Sequence, residues 1–249
     1  MKPHKVEYWL NAKVDDPEKF VEEVAVVCDL YKQAKSLHEQ GTHVVSIDEK
    51  TGIQALERAA ESLTMKPGLV EKVEYEYVRH GTQCLIANLE VATGKIITPT
   101  IGARRTEEDF VEHVENTVAE DAEGKWIFIS DQLNTHQSEG LVKWVARKCG
   151  IEQELGAKGK SGVLKTMLSR AKFLNNEEHR IRFVYTPKHS SWLNQIELWF
   201  SILVRKLLKR SSFKSVEELR AKILEFIEYF NKTMAKPFKW TYTGRPLKM

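Results

Sequence analysis

At 249 residues, with 38 Lys and Arg against 35 Asp and Glu, 42% hydrophobic residues, 13 Gly and 7 Pro, the composition excludes a disordered chain, a collagen-like repeat and a disulfide scaffold. No run reaches the roughly 18 apolar residues of a membrane span, the start is too polar for a signal peptide, and three scattered cysteines, Cys28, Cys84 and Cys149, form no paired metal motif. A cytoplasmic protein in a reducing compartment, with no membrane partner, is expected. The net charge of +3 hides an asymmetry: residues 179–249 hold 15 Lys and Arg against 5 Glu, or +10, and the preceding residues carry −7, which points to a polyanionic partner for the C-terminal third.

The length favours one α/β domain with appendages. Residues 1–14 are basic and aromatic without a clear period. Asp16-Pro17 reads as an N-cap followed by a first-turn proline, and Phe20, Val24, Val27, Tyr31 and Ala34 continue at helical spacing to about Gly41, as a surface-packed or a linker helix. His43–Ile47 is a short strand running into Asp48-Glu49-Lys50, and the stretch to about Val73 reads as irregular. From Glu74 the pattern is extended, with a hairpin signal at Ala92–Lys95. Thr106 caps a helix carrying Phe110, Val111, Val114 and Val118, and Gly124 leads into the strand Trp126–Ser130. Another helix is expected at about Ser138–Lys148.

Residues 149–180, with Gly156, Gly159 and Gly162 and a short amphipathic helix carrying Val163, Leu164, Met167, Leu168 and Phe173, read as an insertion. Arg182–Tyr185 is a last short strand, Ser190–Arg210 a long helix, and Ser215–Asn231 a second one opening on a capping box, Ser215 with Glu218. The order implies a mixed sheet covered by helices.

Ligands in such sheets collect beyond the carboxyl ends of strands, where two strands meet an acid, Asp48 and Asp131. Each alone is most simply a turn or cap residue. Glu197 adds a third. At about 100° per residue, Asn194, Glu197, Ser201 and Arg205 form one polar stripe on an otherwise apolar helix, which reads as a solvated face or as a functional one. Three converging carboxylates would hold two hard divalent cations with few other protein ligands and so support phosphoryl transfer.

Four segments then carry a family likeness: Ser46–Arg58, Tyr77–Thr82, Asp131–His136 and Thr186–Glu197, with the flanking Lys2–Leu10 and Ala235–Gly244. Together and in this order they resemble the bacterial insertion-sequence transposases of the mariner-like superfamily over most of the chain. The resemblance implies a ribonuclease H-like α/β fold, a mixed five-stranded sheet flanked by helices, over residues 43–249, preceded by a linker and helix at 1–42. It implies a DDE triad of Asp48, Asp131 and Glu197 that is both catalytic and metal-binding, with two Mg²⁺ or Mn²⁺ ions. The implied chemistry is cleavage of transposon ends and transfer of the 3′ hydroxyl into target DNA. The partners are double-stranded DNA and a second copy of the chain, a homodimer assembled on DNA at the nucleoid.

Two departures stand out. The 65 residues between Asp131 and Glu197 are more than this branch usually has, the excess falling at 149–180. The family's end-recognising helix-turn-helix region is also not in this sequence, so a fragment, a second-frame product or a degenerate copy is expected.

Around the triad, Asn134 and His136 read as phosphate or metal-water contacts, or as caps of the next helix. Lys188, His189, Trp192 and Asn194 precede Glu197, where a cation meets phosphate and an indole stacks on a base, although Trp192 also suits a core. Arg205, Lys206, Lys209 and Arg210 track DNA backbone, or serve as favourable charge at a helix C-terminus. Arg104-Arg105 carries the same ambiguity. Besides the transposase, two readings stay open: a noncatalytic DNA-binding remnant and a stand-alone metal-dependent nuclease.

Overall fold

A computed structural model of the chain describes residues 16–60, 63–72, 74–188 and 190–242. The five strands are β1 (Thr42–Arg58), β2 (Tyr77–Glu90), β3 (Lys95–Gly102), β4 (Lys125–Ser130) and β5 (Ile181–Tyr185). They form one sheet in the order β3-β2-β1-β4-β5. The first three pair antiparallel, and β4 and β5 run parallel to β1. This is the expected ribonuclease H-like sheet, with β1 at its centre.

Six α-helices cover it: α1 (Pro17–Glu39), α2 (Glu107–Ala119), α3 (Glu139–Lys148), α4 (Met167–Leu174), α5 (Ile196–Leu203) and α6 (Val216–Thr233). Strand alternation sorts them into two layers. On β1, Val45 and Ile47 join Phe128 of β4 and Phe183 of β5 in a core closed by α2, α3 and α4. Val44 faces the other way, with Ile127 and Ile129, beneath Val24, Val27 and Tyr31 of α1. Further along that face, Leu85, Ala87 and Leu89 of β2 pack under α5 and α6.

Helix starts follow the capping chemistry of the sequence. The Asp16 side chain accepts from the Lys19 N–H at 3.1 Å, with proline in the first turn of α1, and Thr106 and Asp109 form a reciprocal capping box on α2. The helix at 17–39 therefore packs on the sheet. The β2–β3 turn needs Gly94, whose φ is +72° and whose missing Cβ leaves room for the Lys236 backbone. On β3, at the sheet edge, the Asn231 side chain accepts from the Ile96 N–H at 2.9 Å and donates to the Ile96 carbonyl at 2.8 Å.

Three sequence expectations change. β1 does not stop at Ile47 but continues to Arg58, paired with β2 through two register shifts. Residues 53–58 pair with 77–83 as a two-stranded ribbon beyond the main sheet, where Glu57 and Arg58 keep part of their solvent contact. The long helix expected from Ser190 begins only at Ile196, after a 3-10 turn at Ser191–Leu193, and widens into a π-helical turn at Val204–Leu208. Residues 149–180 contribute no strand, yet Leu164, Phe173 and Leu174 are buried in the core beside α3, while Leu168 is exposed.

Candidate active site

The pairing of β1 with β4 matches Ser46 to Ile129. Two residues on, the same offset brings Asp48 level with Asp131, and alternation puts both on the face of Ser46, Ile127 and Ile129. Parallel neighbours lie about 4.8 Å apart, so the sheet itself brings the first two acids together. Asp48 lies within β1, not beyond its end; Asp131 follows β4 directly.

Glu197 arrives through Asn194. This carboxamide donates to the Ile47 carbonyl at 3.0 Å and to Asp48 Oδ2 at 3.1 Å, and its oxygen accepts from the Ser46 hydroxyl. The Ser46 hydroxyl in turn accepts from the Ile196 N–H at 2.9 Å. From α1, the Tyr31 hydroxyl donates to the Leu193 carbonyl at 2.7 Å and accepts from the Gln195 N–H at 3.3 Å. The start of α5 is thereby fastened to β1 at Ser46, Ile47 and Asp48, and Glu197 stands exposed in its first turn.

The electrostatics agree with convergence. Burial pushes the Asp48 carboxyl up to about 7, against a hydrogen bond from the Glu49 N–H, and the charges of Asp131 and Glu197 push in the same direction. Asp131 behaves differently. Its burial is outweighed by His136, whose Nδ1 lies 2.7 Å from Asp131 Oδ1, so its carboxyl is held below the ordinary range.

His136 has no exposed side-chain surface; its ring packs on Phe110, and its Nε2 faces Glu49 Oε1 at 3.5 Å. Burial lowers its basicity, but the bonds to Asp131 and Glu49 dominate and raise it to about 9. Glu49, itself almost fully buried, is paired with Arg105 at 2.7 Å. Arg105, Glu49, His136 and Asp131 form one chain of alternating charge.

Among the residues expected to meet DNA, His136 and Asn194 are corrected: both side chains are buried and bonded to the acids, which makes them supports of the site. Asn134 and Lys188 line a single cleft with Gln132, Leu168 and Lys172, open between α1, the segment after β4 and α4. Trp192 is half-exposed and meets Tyr242 edge-on, 5.0 Å between ring centres, rather than entering the core. Arg205, Lys206, Lys209 and Arg210 are exposed on and just past the π-helical turn. His189 lies outside the described residues.

The sequence leaves Glu49 without a role and Arg105 open between a DNA contact and ordinary charge; the structure pairs the two. The signal for Glu49 was strand alternation: carried past Ile47, it puts Glu49 on the buried α2 face, where a carboxylate needs a cation.

The donor set fits a hard divalent cation. It is all oxygen, and a bound cation would offset both the burial that raises Asp48 and the charges of Asp131 and Glu197 that add to it.

The family described as DDE superfamily endonuclease matches residues 43–220. No curated protein matches the chain. Among solved structures, the Mos1 mariner paired end complex with Mn is similar over 90% of this chain and 59% of its own, at 15% identity and a TM-score of 0.55. A pre-cleavage Mos1 transpososome gives 90%, 59%, 14% and 0.53. The catalytic domain of Mos1 mariner transposase covers 88% of this chain and 85% of its own, at 12% identity and a TM-score of 0.50. The chain thus spans about three-fifths of the length of the longer relatives, and at these identities the likeness is one of fold.

Proposed function

Because this chain belongs to the family of DDE superfamily endonucleases, we propose that it is the catalytic part of a DNA transposase, cutting transposon ends and joining the freed 3′ hydroxyl to target DNA. The observation that carries this reading is the strand register that sets Asp48 beside Asp131, together with the Asn194 clamp that brings Glu197 to the same end of the sheet. Residues 43–249 form the catalytic domain, residues 1–42 precede it, and residues 149–180 are its insertion.

Asp48, Asp131 and Glu197 would hold two Mg²⁺ or Mn²⁺ ions; a Mos1 mariner relative is described with Mn. When bound, such a pair activates the attacking oxygen and stabilises the leaving one. The chain's own part is positioning. Asn194 and His136 fix the orientation of two carboxylates, and Glu49 with Arg105 keeps His136 in place. Lys188, Asn134 and Trp192, exposed near the acids, contact the DNA, and Arg205, Lys206, Lys209 and Arg210 bind its backbone. The proposed active assembly is a homodimer on DNA.

The test is cleavage and joining of DNA carrying the element's terminal repeats, with the end-recognition region supplied. Both steps should require Mg²⁺ or Mn²⁺, and Asp48→Asn, Asp131→Asn or Glu197→Gln should each lower them by orders of magnitude while DNA binding persists. Wild-type protein that binds these ends but never cuts them would overturn the enzymatic reading; cutting without any joined product would reduce it to a nuclease.

A further inference from the structure

At the other end of β1, His38 in the last turn of α1, His43 at the start of β1 and Glu90 at the end of β2 converge, their ligand atoms all within 4.8 Å of one another. Glu90 Oε1 lies 3.4 Å from His38 Nδ1 and 2.8 Å from His43 Nδ1. Five residue steps along the strand separate His43 from Asp48, roughly 16 Å, so this cluster is distinct from the three acids.

Glu90 is buried, with Oε2 accepting from the Thr93 hydroxyl at 2.7 Å. His43 faces Glu90 through Nδ1 and Asp121 Oδ2 through Nε2, the latter at 3.1 Å. A neutral imidazole has one N–H and can donate to only one of those carboxylates. His38 Nδ1 is buried and has no hydrogen-bond partner among the described residues.

We propose that His38 Nδ1, His43 Nδ1 and Glu90 Oε1 bind a zinc-class divalent ion, with water in the fourth position. The ion satisfies His38, replaces the proton between His43 and Glu90, and frees the His43 Nε2–H for Asp121. The remaining contacts are those of a supported site, in which a ligating imidazole donates its second N–H to a carboxylate; Thr93 steadies Glu90 in the same way. Ligands about 2.0–2.1 Å from a tetrahedral ion stand roughly 3.4 Å apart, the separation found between His38 and Glu90. Two imidazoles and one carboxylate favour zinc, whereas the all-oxygen triad favours magnesium or manganese.

The ion would pin the C-terminal end of α1 to the sheet. The same helix carries Tyr31, which holds the segment leading into α5, so the site is structural and steadies the helix that covers the acids' own face of the sheet.

The experiment uses the untagged full chain stripped of metal, titrated with Zn²⁺ against a chromogenic chelator in excess Mg²⁺. An Asp48→Asn, Glu197→Gln background keeps zinc off the triad. One equivalent should bind, and Co²⁺ in its place should give the intense visible absorption of a tetrahedral ion. His38→Ala and Glu90→Gln should each weaken binding at least tenfold, and Asp121→Asn by about 10- to 100-fold. Should Glu90→Gln fail to fold by circular dichroism, the partly exposed His38→Ala decides alone. No bound equivalent, or affinity unchanged in His38→Ala, would overturn the proposal.

Discussion

Asn194 donates one side-chain amide group to both the Asp48 carboxylate and the Ile47 carbonyl, and Glu197 follows three residues later, its N–H bonded to the Asn194 carbonyl at 3.1 Å. One buried carboxamide thus fixes the distance between a strand acid and a helix acid. Asn194→Ala should leave the Asp48 oxygen and the Ile47 carbonyl short of a donor, at a cost of about 1–3 kcal/mol. It should also slow single-turnover cleavage more than tenfold. Denaturant unfolding and a quenched-flow assay check the two parts; a fully active alanine variant would remove Asn194 from the site.

His136 and Glu49 should act as a unit on Asp131. Either His136→Ala or Glu49→Gln breaks the same chain of charges, so the second substitution should add little to the first. Interaction energies of about 0.5–3 kcal/mol are expected for residues in one network. The readouts are stability and the Mn²⁺ concentration for half-maximal cleavage, the latter rising in both single variants. Strict additivity would mean that His136 serves Asp131 without help from Glu49.

His113 supplies a pH dependence away from the acids. Burial holds this imidazole far below its usual value, at about 3, while its Nδ1 meets the Thr100 hydroxyl at 2.8 Å. A histidine depressed in the folded state contributes stability that is complete above about 6.5 and is lost as pH falls toward the folded value. Between pH 6.5 and 4.5 the loss should be about 2–3 kcal/mol. Urea unfolding across that range should show it in the wild type, and His113→Gln should flatten it.

The four cations past α5 make an ionic-strength prediction. Neutralising Arg205, Lys206, Lys209 and Arg210 together should lower the slope of log affinity against log salt by about one for each phosphate that these cations neutralise. The cleavage rate at saturating DNA should hold. Filter binding at several salt concentrations measures the slope, and an unchanged slope would assign these residues to solubility alone.

Much of this was legible in the sequence because periodicity and capping act locally. Asp16-Pro17, Thr106 and Ser215 mark helix starts that the structure keeps, and the alternating apolar runs become the expected sheet. What failed depends on distant partners. Alternation carried past Ile47 allows a longer strand, but the partner that fixes its length lies beyond the excursion at residues 59–76. Asn194 reads as helical by its spacing from Glu197, yet its side chain is claimed by Ser46 and Asp48, nearly 150 residues away in the chain. Arg105 stays open in the sequence between a DNA contact and ordinary charge until Glu49 is seen to be buried beside it.

The two hydrogen bonds between Asn231 and Ile96 also bear on how the molecule keeps to itself. An outermost strand offers free N–H and carbonyl groups to any extended segment that drifts by, and so invites sheets to grow from one molecule into the next. Here a helix lends one carboxamide, whose donor and acceptor match a strand's own, and the ladder ends on a side chain. If copies of the chain are brought together on DNA as proposed, the crowding there need not turn into sheet-to-sheet aggregation.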